Sequence, residues 1–404
     1  MALKRLAKDV GLLVLSLGML VDLIGILFIN DGSRLTALLN LTFFLPALVL
    51  TLSVPAYRAR LFNRELLFVG VFLLFTLLVV CLNSHSEHSL KAQLKTALYV
   101  LVYVSAVLIL ALENKLERLL CWAFFLASAV AAASLLYQGV VLHKALFFAG
   151  FRLDSLGYEG YADFGNAIVS ALYFGVFAVF GVHQVVSKPM AVWQRAVWAL
   201  CVAALGLYIL STGSRGVWAG VLAAFFASVI LHLHGRVRAG VLAASVLVLA
   251  AATFYVKVVL AQSGRGISLR DQIWSAWYER LGEFWLAGAG AGNDFDVCVA
   301  QTTCFNQAHN LFLQTGYEYG LIGMLLLVVL IGVAWIRGMD RSVREQPLGS
   351  LGGVLMLFAV ITALVNYHTV LNRPGVYWLV FWLPLGLLIH ARYMATQRGE
   401  QRAG

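Results

Sequence analysis

Charge is scarce in this chain. Only 12% of its 404 residues are Asp, Glu, Lys or Arg, against 61% that are hydrophobic. So little polar surface cannot cover a domain of that size in water, which excludes an ordinary soluble protein. No stretch of soluble-domain length separates the apolar runs, so function must reside in a membrane bundle and its loops. The short alternating segments of a membrane β-barrel are missing. An internal repeat is missing too, which weakens a transporter assembled from inverted halves. No small-x-small cleavage site follows the basic start "MALKRLAKDVG", and the apolar run behind it is too long for a cleaved leader; it reads as a first membrane span.

What is present is a series of apolar stretches long enough to cross a hydrocarbon core of roughly 30 Å. They fall near 10–30, 35–54, 65–83, 96–112, 119–142, 166–186, 195–212, 217–234, 239–258, 309–336, 350–371 and 375–391. The expected fold is an all-α polytopic membrane protein, residues 1–404 forming a single integral membrane domain of about twelve transmembrane helices. The positive-inside rule orients it. With the N-terminus inside, the inner segments receive Lys4, Arg5, Lys8, Arg58, Arg60, Arg64, Lys115, Arg118, Lys188, Arg195, Arg236, Arg238, Arg337, Arg341, Arg344, Arg392, Arg398 and Arg402. Both termini are then cytoplasmic. The outer segments carry fewer cations, among them Arg34, Lys91, Lys95, Arg152, Arg215, Arg265, Arg270 and Arg373. These run against the topology rule, and together they describe an outer face suited to a strongly anionic ligand.

Two outer loops are long, 143–165 and 259–308. Loops of that length in a compact protein are usually lids or binding segments. The first, "GFRLDSLGYEGYADFGN", offers Arg152 and Tyr161 among acids and aromatic rings, a composition that fits a sugar-binding rim and equally an interface belt. In the second, Ile273, Trp274, Trp277, Leu281, Phe284 and Trp285 recur at helical spacing, with Ser268 at the cap position. That stretch reads as an amphipathic helix on the outer surface, its tryptophans at the bilayer interface, holding Arg265 and Arg270 over the bundle. "GAGAGND" follows; its alternate glycines could cradle a phosphate, but no strand precedes them, so a dinucleotide fold is not supported. Cys298 and Cys304 share this loop and are expected to pair in an oxidising compartment, whereas Cys81, Cys121 and Cys201 fall within spans.

Two further motifs carry chemistry. "STGSRGVWAG" puts Arg215 in a small-residue turn between two spans, where a cation at membrane depth is a functional hypothesis by default. "QAHNLFLQTGYEYG" opens the tenth span with His309, and Asn310, Gln314 and Tyr317 follow on one helix face. A polar face is costly against lipid and should look into the protein. An imidazole at a helix N-terminus is kept neutral by the dipole and can accept a proton near neutral pH.

In order, "STGSRG", the Arg-then-Trp spacing of "RDQIW", "GAGAGN" and "AHNLFLQTGYEYGLIG" resemble the O-antigen ligase and polymerase superfamily of bacterial inner membranes. The resemblance covers about 150–325 in matched blocks, and the His-Asn block is its most specific part. It implies a GT-C-like, metal-independent glycosyltransferase of the inner membrane, without cofactor and without nucleic-acid partners, whose active site faces the periplasm. The implied donor is an undecaprenyl-diphosphate-linked glycan, and the acceptor is a sugar hydroxyl of lipid A–core oligosaccharide. By motif, Arg215 binds the diphosphate, Arg270 or Arg265 fills the second arginine slot, and His309 is the base; Arg152, Tyr161, Asn310, Gln314 and Tyr317 are weaker substrate-binding candidates. The family's asparagine-rich first outer loop is reduced here to Asn166. A polymerase joining lipid-linked repeats and a protein-directed oligosaccharyltransferase would use the same parts. An anion transporter is the alternative from a different class.

Overall fold

A computed structural model describes residues 2–59, 64–147, 151–247, 269–299, 303–346 and 348–403. Helices account for almost all of the regular structure. The first, α1 (Ala2–Ile24), ends in a 3-10 turn, and α2 (Gly32–Leu39) passes through a π-helical stretch (Asn40–Phe44) into α3 (Leu45–Ser53). After the short α4 (Pro55–Arg58) come α5 (Arg64–Leu82), α6 (Leu90–Leu112), α7 (Leu116–Leu136), α8 (Ala167–Ser187), α9 (Val192–Ser211) and α10 (Arg215–His232). α11 is described over 235–247, so the expected span at 239–258 lies largely outside the described residues. The second long loop holds α12 (Arg270–Glu279), α13 (Leu281–Phe284) and a hairpin of β1 (Val297–Val299) and β2 (Thr303–Phe305), in which Cys298 faces Cys304 and is disulfide-bonded to it. α14 (Leu311–Gly338), α15 (Arg341–Arg344), α16 (Gly349–Ala363) and α17 (Val376–Ala403) complete the chain.

Among the described residues, ten helical segments are long and apolar enough to cross a membrane. They correspond to ten of the twelve expected spans. α8 and α17 form the centre, with Tyr173, Phe174, Phe177, Trp378 and Trp382 fully buried. Outer helices expose Leu13 and Leu17, Leu67 and Leu74, and Leu200 and Leu207, the side chains a bilayer would solvate.

The expected span at 350–371 is corrected: α16 stops at Ala363, and Leu364–Gly375 form a loop. Side chains of the loop and of α17 hold it in place. The Trp382 indole donates to the Val370 carbonyl at 2.8 Å, the Trp378 indole to Asn372 Oδ1 at 3.2 Å, and the Tyr367 hydroxyl to the Ala359 carbonyl at 3.0 Å.

The expected span at 309–336 is interrupted. Gly320 has φ 73 and ψ 174, so α14 breaks there. The carbonyls freed at the break are taken by a strap, Ala287–Gly292: Ala289 N–H donates to the Tyr317 carbonyl at 2.7 Å and Gly290 N–H to that of Glu318 at 3.3 Å. Leu321 N–H closes the other side on the Trp285 carbonyl at 2.8 Å. A Cβ on Gly288 would sit 2.3 Å from the Glu318 carbonyl oxygen and one on Gly320 2.3 Å from that of Leu286, so the junction needs glycine on both sides. Before the break nothing in α14 is exposed; beyond it Ile322, Leu325, Val328, Val329 and Ile336 are. The lipid-facing part of α14 therefore starts after Gly320.

The "GAGAG" run is this strap. Its backbone donors go to α14 and to the loop after α5, where Ala291 N–H meets Ser86 Oγ at 3.3 Å, and Asn83 Nδ2 donates to the Gly288 carbonyl at 3.0 Å. The amphipathic helix appears as α12 and α13, but its apolar face is buried in protein rather than laid on a bilayer: Ile273, Trp277 and Phe284 pack with Phe295, Ala308 and Tyr317. Trp285 remains exposed, and Ser268 lies outside the described residues.

Candidate active site

The strap, α12 and the first turns of α14 build a platform at the end of the bundle where α10 and α14 begin. The Trp277 indole donates to the Leu313 carbonyl at 2.8 Å and the Trp274 indole to that of Ala308 at 3.0 Å, fixing α12 along the entry to α14. Asn310 caps that helix, its Oδ1 accepting from Phe312 and Leu313 N–H at 2.9 and 3.1 Å. The Gln314 Oε1 accepts from Ala308 N–H at 3.0 Å, and its amide donates to Glu318 Oε1 at 3.0 Å. The second Glu318 oxygen accepts from Gly292 N–H at 3.3 Å. The Tyr317 hydroxyl donates to the Asp294 carbonyl at 3.1 Å. Asn310, Gln314 and Tyr317 thus share a buried face, as their spacing predicts, and their polar atoms brace the platform.

Both neighbours of His309 are held by these bonds, and His309 itself adopts φ +49, a left-handed conformation that costs of order 1–3 kcal/mol for a residue bearing a Cβ. Its ring lies edge-on to Phe305 at 5.7 Å, and Nδ1 is buried without a hydrogen-bond partner among the described residues. Burial, and after it the charge of Arg270, lowers the imidazole pKa below 6.5. At neutral pH the ring is uncharged.

Arg270 opens α12 and is half-buried. Burial first, then Arg215 and Arg152, push its pKa below the usual arginine value. Arg215 and Arg152 thus lie near enough for their charges to be felt at Arg270, and an anion among them would relieve that repulsion. Arg215 is the first residue of α10 and is exposed; among the described residues no carboxylate pairs with it. The α10 N-terminal amides favour negative charge in the same place. Arg152 reaches in from the first long loop: its Nε donates to the Thr212 carbonyl at 2.7 Å and an Nη to Ser214 Oγ at 3.3 Å. That seats a cation on the carbonyl end of α9, beside the turn that carries Arg215.

His368 is a site residue that sequence reasoning missed. It lies in the Leu364–Gly375 loop, edge-on to Tyr377 at 5.9 Å. Burial first, then His309, push its pKa down to about 4, with Asp294 opposing. The loop approaches Arg215 because the next residue is glycine: a Cβ on Gly216 would lie 2.4 Å from Val365 and 2.5 Å from Asn366. A histidine, two asparagines and Arg373 so near the supposed end of a span were the available signal. Tyr161, by contrast, stacks with Tyr158 at 6.4 Å, and no bond or ring contact among the described residues joins it to the arginines. Arg265 lies outside the described residues.

Comparisons with known proteins cover the same residues. A family model described as O-antigen ligase matches residues 199–328, the stretch that holds Arg215, Arg270, the strap and His309. Over that stretch the chain is similar to the O-antigen ligases. It is 26% identical to the O-antigen ligase of Pseudomonas aeruginosa, over 99% of this chain and 98% of that protein. The family match lies inside the wider similarity, which reaches Arg152 in the first long loop and His368 between α16 and α17 as well.

Proposed function

We propose that this protein transfers a glycan from undecaprenyl diphosphate to a sugar hydroxyl of lipid A–core oligosaccharide, at the periplasmic face of a bacterial inner membrane. The observation that carries the reading is the neutral, pinned His309 beside a cluster of mutually repelling guanidiniums at one end of an apolar bundle. Cation-rich connections at the opposite end support an orientation that leaves the cluster outside the cytoplasm.

In this reaction the acceptor oxygen bonds to the anomeric carbon as the bond from that carbon to the diphosphate breaks. The hydroxyl proton passes to His309, and the electron pair leaves with the diphosphate. Arg215 and Arg270, with Arg265 as the alternative partner, stabilise the charge that grows on the leaving group. Arg152 holds the same field from the α9 side. Asn310, Gln314 and Tyr317 act on substrate through the backbone they fix around His309. A base of this kind typically contributes about 10²–10⁴ in rate, and each anion-stabilising donor about 10²–10³.

The test is complementation of a strain lacking this chain. Wild type should restore surface polysaccharide on lipid A–core, and His309→Ala should not, at equal protein level in the membrane. Restoration by His309→Ala would refute the base assignment. Accumulation of single-repeat chains in the strain without the protein would identify a polymerase instead.

A further inference from the structure

The same end of the bundle carries a second recess that the transfer site does not use. It measures about 380 Å³ and lies between the α2–π stretch, the start of α6 and the loop before α17. Lys95 and Arg373 line it together with Thr36, Asn40, Thr96 and Asn372. The volume is within the ordinary range of small-ligand sites. Lys95 lies over the Tyr99 ring at 5.4 Å, and the Tyr99 hydroxyl donates to Asn40 Oδ1 at 2.7 Å, so the floor is fixed. Neither cation meets a carboxylate among the described residues; Asp31, beside the recess, is taken by Arg34 at 3.4 Å. Two cations among hydroxyls and amides, with no acid to neutralise them, select a phosphoryl group.

Beside this recess the surface turns apolar: Leu41, next to Asn40, and Leu94, next to Lys95, are both exposed. A phosphoryl seat with exposed hydrocarbon at its rim suits the head of a membrane lipid.

We propose that this groove seats the head group of a phosphorylated membrane amphiphile on Lys95 and Arg373, its acyl chain running into the surrounding lipid past Leu41 and Leu94. Resting on the function proposed above, that amphiphile is the acceptor glycolipid, held through a phosphate of its lipid part. The loop that supplies Arg373 also supplies His368, which connects an occupied seat to the transfer site. The seat is a binding element and takes no part in bond making.

Purified full-length protein in detergent decides the matter through binding, independently of transfer. Lipid A–core should bind, and phosphatase treatment of it should weaken binding about tenfold, the effect of losing a charge-assisted contact. The double variant Lys95→Gln, Arg373→Gln should lose the same factor and then be indifferent to dephosphorylation. Lys95→Arg with Arg373→Lys, which keeps both charges, should retain binding and exclude misfolding as the cause. His309→Ala should bind normally. In transfer assays the double Gln variant should raise the acceptor KM and leave kcat unchanged. Equal binding with and without phosphate, or full binding by the Gln variant, would overturn the seat. Displacement of the glycolipid by phosphatidic acid at equal affinity would assign the groove to bilayer phospholipid and overturn the acceptor assignment. Loss of transfer in His309→Ala beside an unaffected Gln variant would sink this inference alone.

Discussion

Two groups of cations, one at each end of the bundle, have different neighbours. At the end that holds both termini, four cations meet carboxylates: Lys8 meets Glu113 at 2.9 Å, Lys188 meets Glu117 at 3.0 Å, Arg337 meets Glu65 at 2.6 Å and Arg392 meets Asp340 at 2.9 Å. At the other end Arg270 has two further guanidiniums near it, Arg215 and Arg152, whose charges add to burial in lowering its pKa. Paired charges tie helices together; clustered like charges work against the fold and persist where a ligand needs them. The first group suits stability and the second, on the function proposed above, suits an anion.

The sharpest way to break that contrast is to neutralise one member of the cluster. Arg270→Gln should reduce transfer about 10²–10³-fold while leaving the melting midpoint unchanged or higher, read by a transfer assay beside a thermal-unfolding scan. A lower midpoint would show that the arginines are structural after all. Gly320→Ala comes next: it puts a Cβ against the Leu286 carbonyl at positive φ, and should cost about 2 kcal/mol or more and most of the activity, measured by the same pair of assays. At the paired end, Arg337→Gln strips the closest partner from a largely buried Glu65 and should lower stability by about 1–2 kcal/mol, with kcat within a few-fold of wild type. Arg341→Gln, which breaks only the exposed pair with Glu345, should change neither.

The pH profile sharpens the comparison further. His309 must be unprotonated to act, and its pKa lies below 6.5, so activity is retained down to that region and lost as pH falls below it. Arg270 is one of the two causes of the shift. In Arg270→Gln the remaining activity should therefore fall at a higher pH than in wild type. An unmoved acid limb would separate Arg270 from the imidazole.

Much of this was legible beforehand because membrane insertion leaves a one-dimensional record. Span lengths and cation placement are written in sequence order, and ten of the spans appear where apolar length puts them. Arg215 and His309 stood out because a polar residue at a span end is costly and asks for a reason, and Arg270 by its spacing from Trp274 in the long outer loop. What could not be read is what depends on contacts distant in sequence. The glycines at 288, 290 and 292 looked like a phosphate cradle, but their backbone is claimed by Tyr317, Glu318 and the 83–88 loop. The tryptophans of α12 looked like interface anchors and are instead donors to carbonyls of α14 and its entry. His368 was hidden inside an apolar count, because the indoles that hold its loop out of a helix lie on α17.

The interruption at Gly320 also solves a problem of phase. On an uninterrupted helix, Gln314, Glu318, Ile322, Leu325, Val329 and Ile336 would fall along a single line, since successive residues turn by about 100°. Such a line must face one way, and these residues need two: carboxyl and amide toward protein, branched hydrocarbon toward lipid. One glycine resets the rotation between Tyr319 and Leu321, so the buried polar side chains before it and the exposed hydrocarbon after it need not share that line.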